Sequence, residues 1–161
     1  MPTRRNLRTM AALSLVFAGP IGCICSGEPD YDKGDYVLEH NKDTALAFYR
    51  TAFNDHKPEE AVAKYVGDRY TQHNPLAADG KQAFIDFVNA FAKANPGLHI
   101  EVKRVVAEGD LVAVHVHLKL SADDRGTAAI DFFRLENGKV VEHWDCVQPV
   151  PEESANSNGM F

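Results

Sequence analysis

The segment from Ala128 to Gln148, AAIDFFRLENGKVVEHWDCVQ, decides the fold prediction. Two runs rich in β-branched and aromatic residues flank Asn137-Gly138, a strong β-hairpin signal because both central residues of a type I′ turn need φ > 0. A regular two-residue hairpin would place Asp131 opposite Trp144. Because side chains alternate along a strand, Asp131 is predicted to share an apolar face with Phe133. A carboxylate in such a position needs a partner or a function.

Length and composition predict a single globular domain that does not bind nucleic acid. The chain has 161 residues, of which 45% are hydrophobic and 25% charged, and its net charge is -6. These proportions are those of an ordinary folded protein, and the sequence contains no basic stripe that would bind a phosphate backbone.

Residues 1–27 have the layout of an export signal. Three arginines precede an apolar run over residues 11–24, which is too short and too interrupted for a transmembrane helix. Residues 3–7 resemble a twin-arginine signal, and Cys23 lies in a weak lipoprotein-like site. We therefore expect an exported protein, periplasmic or secreted, that contacts a membrane only if Cys23 is lipidated.

The rest of the chain predicts an α+β domain over residues 41–150, after a polar linker over residues 28–40. Helical spacing covers residues 41–55, 58–65 and about 80–95, a short extended segment covers residues 68–75, and alternating patterns covering residues 98–107 and 111–120 precede the hairpin. Three helices followed by antiparallel strands predict a cone-shaped, curved antiparallel sheet packed on the helices. Such a sheet can enclose a ligand pocket on its concave face.

Two features near the end of the chain carry weaker expectations. Cys146 is predicted to be a small buried hydrophobic residue, because it would share a face with Trp144. Residues 151–161 form a C-terminal tail that ends in Met160 and Phe161. These apolar side chains suggest that the tail docks onto the body of the protein or onto a partner.

The candidate catalytic residues are Asp131, His117 and His115. The two histidines lie two apart on one strand, and one register would bring His117 beside Asp131. An imidazole and a carboxylate in a partly apolar cavity could remove a proton next to a carbonyl group. The candidate substrate-binding residues are polar or aromatic side chains expected at the mouth and wall of the pocket: Tyr70, His73, Asn74, Phe133, Trp144 and Gln148.

Other interpretations of these residues stay open. His115 and His117 could lie on a solvated or subunit-facing surface of the sheet. A metal site could form from them together with His73, Asp131 and His143, although no ligand spacing supports one. Asp131 could instead pair with Arg134 or Arg69. His143 and Asp145 belong on the exterior in the regular register, and a β-bulge would move them across the sheet.

Several motifs resemble the SnoaL-like proteins of the nuclear-transport-factor-2-like superfamily, in particular the bacterial group described as predicted SnoaL-like aldol-condensation-catalysing enzymes. They are Tyr70–Pro75 (YTQHNP), Ala107–Asp110 running into His115, Asp131–Leu135 with Asn137–Asp145, and the ending Ser154–Phe161. The resemblance covers about Asn41 to Phe161. It implies a cone-shaped α+β fold, a homodimer and a pocket beneath the curved sheet.

The resemblance also implies a chemistry. Polyketide cyclases of this type work without a cofactor or metal, and an aspartate at the position of Asp131 serves as acid and base for an aldol closure. The leading hypothesis is therefore a cofactor-independent enzyme, of aldol condensation, cyclisation or isomerisation type. It would act on a carbonyl-bearing, partly apolar small molecule. The alternative is a non-catalytic exported module that binds a small ligand in the same pocket.

Overall fold

The computed structural model describes residues 31–161, so the predicted export signal and Cys23 lie outside the described residues. The helices are α1 Tyr31–Tyr49, a π-helical turn Arg50–Asn54, α2 Pro58–Tyr65 and α3 Lys81–Ala94. The strands are β1 Val66–Gln72, β2 His99–Glu108, β3 Leu111–Lys119, β4 Thr127–Glu136 and β5 Lys139–Pro149. No helix within this range has the length and apolar character that crossing a membrane requires.

The helix boundaries follow local signals with one exception. Proline at the first position of α2 and two glutamates in its first turn suit a helix start, because the first turn lacks partners for its N–H groups and favours negative charge. The exception is α1, which begins at Tyr31. Residues 31–40, predicted as linker, are therefore helical. The side chains of residues 33–40 are mostly exposed, and the sequence of this segment shows no apolar stripe from which a helix could be predicted.

The five strands form one sheet in the order β1-β5-β4-β3-β2. Neighbouring strands are antiparallel except β1, which runs parallel to β5 at the edge of the sheet. The predicted α+β class, with a curved and mostly antiparallel sheet packed on three helices, is confirmed. The predicted short extended segment is a fifth strand, which ends at Gln72 beside His143.

The hairpin turn is as predicted, but the register beyond it is not. Asn137 and Gly138 both have positive φ, as a type I′ turn requires. Leu135 pairs with Val140, but Arg134 pairs with Glu142, so Val141 is an extra residue in β5. This β-bulge shifts every later pair by one residue. As a result Asp131 lies opposite Asp145 instead of Trp144.

The core lies between the helices and one face of the sheet, which we call the inner face. Phe48 of α1 is fully buried among the rings of Tyr70, Phe84 and Phe133. On the opposite, outer face, Phe132 remains 43% exposed. Alternation along β4 therefore produces one buried and one exposed phenylalanine at neighbouring positions.

The outer face carries the C-terminal tail. The ring of Phe161 stacks on His117, with 4.1 Å between centroids, and lies 5.6 Å from the ring of His115. Lys103 Nζ lies 5.4 Å from the centre of the same phenylalanine ring. The tail therefore docks onto the body of the protein. Cys146 is exposed, and its predicted burial is wrong, because the bulge leaves it on the outer face.

We predict that the two neighbouring phenylalanines contribute very differently to stability. Phe133→Ala should lower the free energy of unfolding by about 3–5 kcal/mol, because it leaves a cavity in the core. The matched variant Phe132→Ala should change it by less than about 1 kcal/mol when both are measured at dilutions where the chain is monomeric, as expected for a half-exposed side chain. Denaturant unfolding of both variants measures the difference. Equal losses would contradict this assignment of the two faces.

Candidate active site

A cavity of about 170 Å³ lies between the inner face of the sheet and the helices. Its wall is mostly aromatic and aliphatic, with contributions from α1, the π-helical turn, α3, the segment after β1 and all five strands. The polar and ionisable side chains that line it are Tyr49, Tyr70, Gln72, Asn74, Asp131, His143 and Asp145. Polar groups that converge in an apolar pocket are typical of a binding or catalytic site.

Asp131 is the most buried of these charged side chains, with 2% of its surface exposed. Its Oδ1 accepts a hydrogen bond from the Tyr49 hydroxyl and lies 3.0 Å from His143 Nε2. Its Oδ2 is buried and has no hydrogen-bond partner among residues 31–161. One oxygen of the carboxylate is therefore held in place, whereas the other is left without a partner beside the cavity.

The orientation of His143 is set by Gln72. Gln72 Oε1 accepts the backbone N–H of Asn74 at 2.9 Å, which identifies that atom as the oxygen of the amide. The same oxygen lies 2.9 Å from His143 Nδ1. Because an amide oxygen can only accept, Nδ1 must carry a proton. Nε2 is then the nitrogen that faces Asp131.

Asp131 and His143 must share one further proton. A neutral imidazole protonated at Nδ1 offers only a lone pair at Nε2, and a carboxylate oxygen also only accepts. Two acceptors 3.0 Å apart need a proton between them. The pair is therefore either an imidazolium with a carboxylate or a neutral imidazole with a carboxylic acid. In both forms it holds one exchangeable proton and has no net charge.

A second carboxylate lies beside this pair. Asn74 Nδ2 donates to both oxygens of Asp145, at 2.9 and 2.7 Å. The Asn74 amide is itself oriented, because its Oδ1 accepts the backbone N–H of Leu76. The Asn-Pro turn after β1 therefore aims an amide donor at Asp145. Both oxygens of the Asp145 carboxylate therefore accept from one oriented amide group.

The two tyrosines of the cavity stay neutral. Burial raises the pKa of Tyr49 well above its ordinary value, and the nearby Asp131 raises it further. Burial likewise raises the pKa of Tyr70, again with a contribution from Asp131. Both phenols therefore remain hydrogen-bond donors wherever the protein is folded near neutral pH.

The structure brings only some of the predicted site residues together. Asp131, Tyr70, Asn74 and Phe133 line the cavity as predicted. Asp131 pairs with neither Arg134 nor Arg69, because Arg134 contacts Glu136 and Glu142 and Arg69 contacts Glu136.

The placement of His115 and His117 beside Asp131 is wrong. Val114, and not a histidine, lies opposite Asp131 in the β3–β4 pairing. The two histidines lie on the outer face, where His117 Nε2 donates to the carbonyl oxygen of Arg125 and His115 Nδ1 accepts from Arg104. The alternation of β3 forces this result, because its buried side chains are all valines.

Three predicted substrate-binding residues also lie outside the cavity. Trp144 stacks on His73 with 4.6 Å between ring centroids, and His73 Nε2 lies 2.8 Å from Glu142 Oε1. Gln148 is exposed near the outer face. In the regular hairpin register Trp144 and Gln148 would face the cavity, but the bulge places both on the outer face. The hydrogen bond from His73, together with Arg134, holds the pKa of Glu142 below its usual range.

Sequence reasoning did not assign Tyr49 or Gln72 to the site, and it left His143 and Asp145 on the exterior unless a β-bulge moved them across the sheet. The bulge explains the last two, since nothing in Lys139–Glu142 distinguishes a bulged strand from a regular one. Tyr49 lies in a helical segment among apolar residues, and nothing in the sequence distinguishes its hydroxyl as a site group. Gln72 belongs to the YTQHNP motif, whose glutamine was not considered as the partner of a histidine.

The same side chains are of types that bind metal ions. Asp131, His143 and Asp145 each offer a ligand atom, and these atoms lie within 4.8 Å of one another. The metal set considered from the sequence does not form, since His115 and His117 are on the outer face. A divalent cation bound here would take the place of the proton that Asp131 and His143 share.

Comparisons with known proteins agree with this fold. A family model described as SnoaL-like domain matches residues 45–143. None of the curated proteins matches the chain. A candidate polyketide cyclase from Bacillus cereus ATCC 10987 is 21% identical, with a TM-score of 0.58 over 67% of this chain and 74% of that one.

Two further solved structures are similar. One is a candidate ketosteroid isomerase from Kribbella flavida DSM 17836, 20% identical, with a TM-score of 0.59 over 74% of this chain and 85% of that one. The other is a candidate SnoaL-like polyketide cyclase from Jannaschia sp. CCS1, 22% identical, with a TM-score of 0.57 over 69% and 87%. At these identities the similarity shows the shared fold.

We predict that Gln72 determines which nitrogen of His143 carries the fixed proton. Nitrogen-15 NMR of the histidine side chains should show a protonated Nδ1 in the wild type. In Gln72→Leu the ring loses this acceptor, so the form protonated at Nε2 alone should become populated. Gln82→Leu, which removes an exposed glutamine bonded only to Asp86, is the control and should leave the His143 signals unchanged. A bare Nδ1 in the wild type would contradict the assignment.

Proposed function

The chain belongs to the SnoaL-like domain family, and on this basis we propose that it is a cofactor-independent acid/base enzyme acting on a carbonyl-bearing, partly apolar small molecule. The observation that carries the proposal is the unpartnered Oδ2 of Asp131. An unsatisfied carboxylate oxygen in a buried site is costly unless a ligand or a reaction uses it. Its place beside an apolar cavity supports proton transfer to and from a bound substrate.

In the proposed reaction Asp131 acts first as a base. A C–H bond next to the substrate carbonyl breaks, its proton moves to Asp131 Oδ2, and its electron pair forms an enolate whose charge lies on the carbonyl oxygen. Return of the proton to a different carbon gives isomerisation. Attack of the enolate carbon on a second carbonyl carbon gives an aldol bond, and the new alkoxide takes the proton. In each case protons and electrons balance without a cofactor.

The surrounding side chains support both the removal of the proton by Asp131 and its later return. The Tyr49 hydroxyl and His143 hold Asp131 Oδ1, so the other oxygen keeps a fixed position relative to the substrate. The neutral phenol of Tyr70 lines the same cavity and is the proposed donor to the enolate oxygen. Apolar walls exclude water, which strengthens each of these interactions.

We predict that Asp131→Asn abolishes substrate deprotonation. The assay is exchange of α-protons for deuterium in D₂O, followed by proton NMR, with cyclohexanone, acetophenone and ethyl 2-methylacetoacetate as substrates. The variant should lose about 10²–10⁴-fold in rate, because the base is missing. Asp123→Asn removes an exposed carboxylate outside the site and should exchange at the wild-type rate.

Three outcomes of this assay separate the alternatives. Equal rates for the wild type and Asp131→Asn would remove Asp131 from the mechanism. Binding of these ketones without any exchange would support the non-catalytic binding module. Loss of exchange in EDTA with recovery in Zn²⁺ would contradict cofactor independence, and would assign a metal to Asp131, His143 and Asp145.

We also propose that the protein forms a homodimer through the outer face of the sheet. On the outer face of β4, Ile130 and Phe132 are 47% and 43% exposed, and the exposed Cys146 lies opposite Ile130 on β5. An exposed apolar patch of this kind favours association with a second copy. Sedimentation should give a dimer for the wild type and a monomer for Phe132→Glu. A monomeric wild type would contradict the proposal.

Export is the remaining proposal, and it rests on residues 1–27 alone. The basic head and the short apolar run support removal of this segment during translocation. Cell fractionation with mass spectrometry should find a shortened chain in the periplasmic or secreted fraction, or a lipidated Cys23 in the membrane fraction. Chain found only in the cytosol, with Met1 intact, would refute export.

A further inference from the structure

The charge of the cavity can be counted without knowing where the shared proton lies. Asp131 and His143 together have no net charge in either of their forms, because one proton serves both. Asp145 adds one negative charge, and its partner Asn74 is neutral. Among the residues that the structure describes, neither lysine nor arginine lines the cavity. The cavity therefore carries one net negative charge that no cation offsets.

The negative charge of the cavity also affects the ionisable side chains that line it. Asp131 and Asp145 both contribute to the raised pKa of Tyr70, after the larger effect of burial. A phenolate in this cavity is therefore disfavoured by the same charges that a ligand would meet. In an apolar site such charges are weakly screened, so a second anion would be repelled strongly.

The volume of the cavity limits the size of the ligand that it can hold. Its volume is about 170 Å³. An apolar cavity of about 150 Å³ holds one benzene molecule in another protein. One six-membered ring with a carbonyl substituent therefore fills this space. A fused-ring molecule would have to leave its other rings at the mouth, where Phe87 and Val147 are 45% and 59% exposed.

We propose that the site accepts an uncharged carbonyl compound of about one ring in size, and that it rejects molecules whose carboxylate or phosphate group would enter the cavity. The carbonyl requirement rests on the proposed function, whereas the limits on charge and size rest on the cavity alone. The proposal excludes keto acids and phosphorylated sugars as substrates. It points to neutral ketones, aldehydes and esters.

The test compares two probes of the same shape and different charge. Benzamide and benzoate have the same number of heavy atoms, and only benzoate is an anion at neutral pH. Their dissociation constants can be measured by ligand-observed NMR with the full chain. Benzamide should bind at least tenfold more tightly than benzoate. The two-ring amide 2-naphthamide should bind more weakly than benzamide.

Two variants connect the preference to the charge. Asp145→Asn removes the uncompensated charge, so the ratio between the two probes should fall towards one. Val147→Lys places a cation at the mouth, where the native side chain is 59% exposed, and should increase benzoate affinity. Asp123→Asn is the matched control and should keep the wild-type ratio.

Each remaining result counts against the proposal. Benzoate binding as tightly as benzamide in the wild type would overturn the charge limit, and tighter binding of 2-naphthamide would overturn the size limit. Failure of benzamide to bind at millimolar concentrations would overturn both. Because these are binding measurements, they can succeed even if Asp131→Asn leaves deuterium exchange unchanged, so failure of the proposed catalysis would be recognised separately.

Discussion

The site depends on one extra residue in β5. Val141 has no partner in the β4–β5 ladder, and the side chains after it therefore change faces. Without this bulge His143 and Asp145 would lie on the outer face, and Asp131 would be a buried carboxylate beside Trp144. With it, an imidazole and a second carboxylate join Asp131 under the sheet. Bulges commonly redirect side chains next to functional sites. Here the bulge brings His143 within hydrogen-bond distance of Asp131 and places Asp145 opposite it.

Once these side chains are buried together, their hydrogen bonds fix which atoms donate and which accept. The Gln72 oxygen is committed as an acceptor, so His143 must donate from Nδ1 and present Nε2 to Asp131. The carboxylate and the imidazole then need one proton between them. Orientation of a histidine by a fixed acceptor is the logic of many catalytic and metal-binding histidines. The pair that holds the proton therefore consists of Asp131 from β4 and His143 from β5, and Gln72 from β1 orients the histidine.

Local patterns were sufficient for most of the fold and for the central residue of the site. The Asn137-Gly138 turn, the alternation of β3 and β4 and the proline at the start of α2 are local features, and each predicted its element. Asp131 was found because a carboxylate on an apolar face is unusual. The faces of His143 and Asp145 stayed open, because a bulge arises from how a whole strand fits its neighbours and its presence could not be predicted locally. His115 and His117 were misplaced because the loop before β4 leaves the register between the strands undetermined by local sequence.

The proposed chemistry depends most directly on where the protons lie among Gln72, His143 and Asp131. Neutron diffraction from a deuterium-exchanged crystal would show these protons directly. It should reveal one deuteron on His143 Nδ1 directed at Gln72 Oε1, and one deuteron between His143 Nε2 and Asp131 Oδ1, with Oδ2 free of any protein donor. A bare Nδ1, or an Asp131 whose two oxygens both accept hydrogen bonds from protein groups, would contradict it.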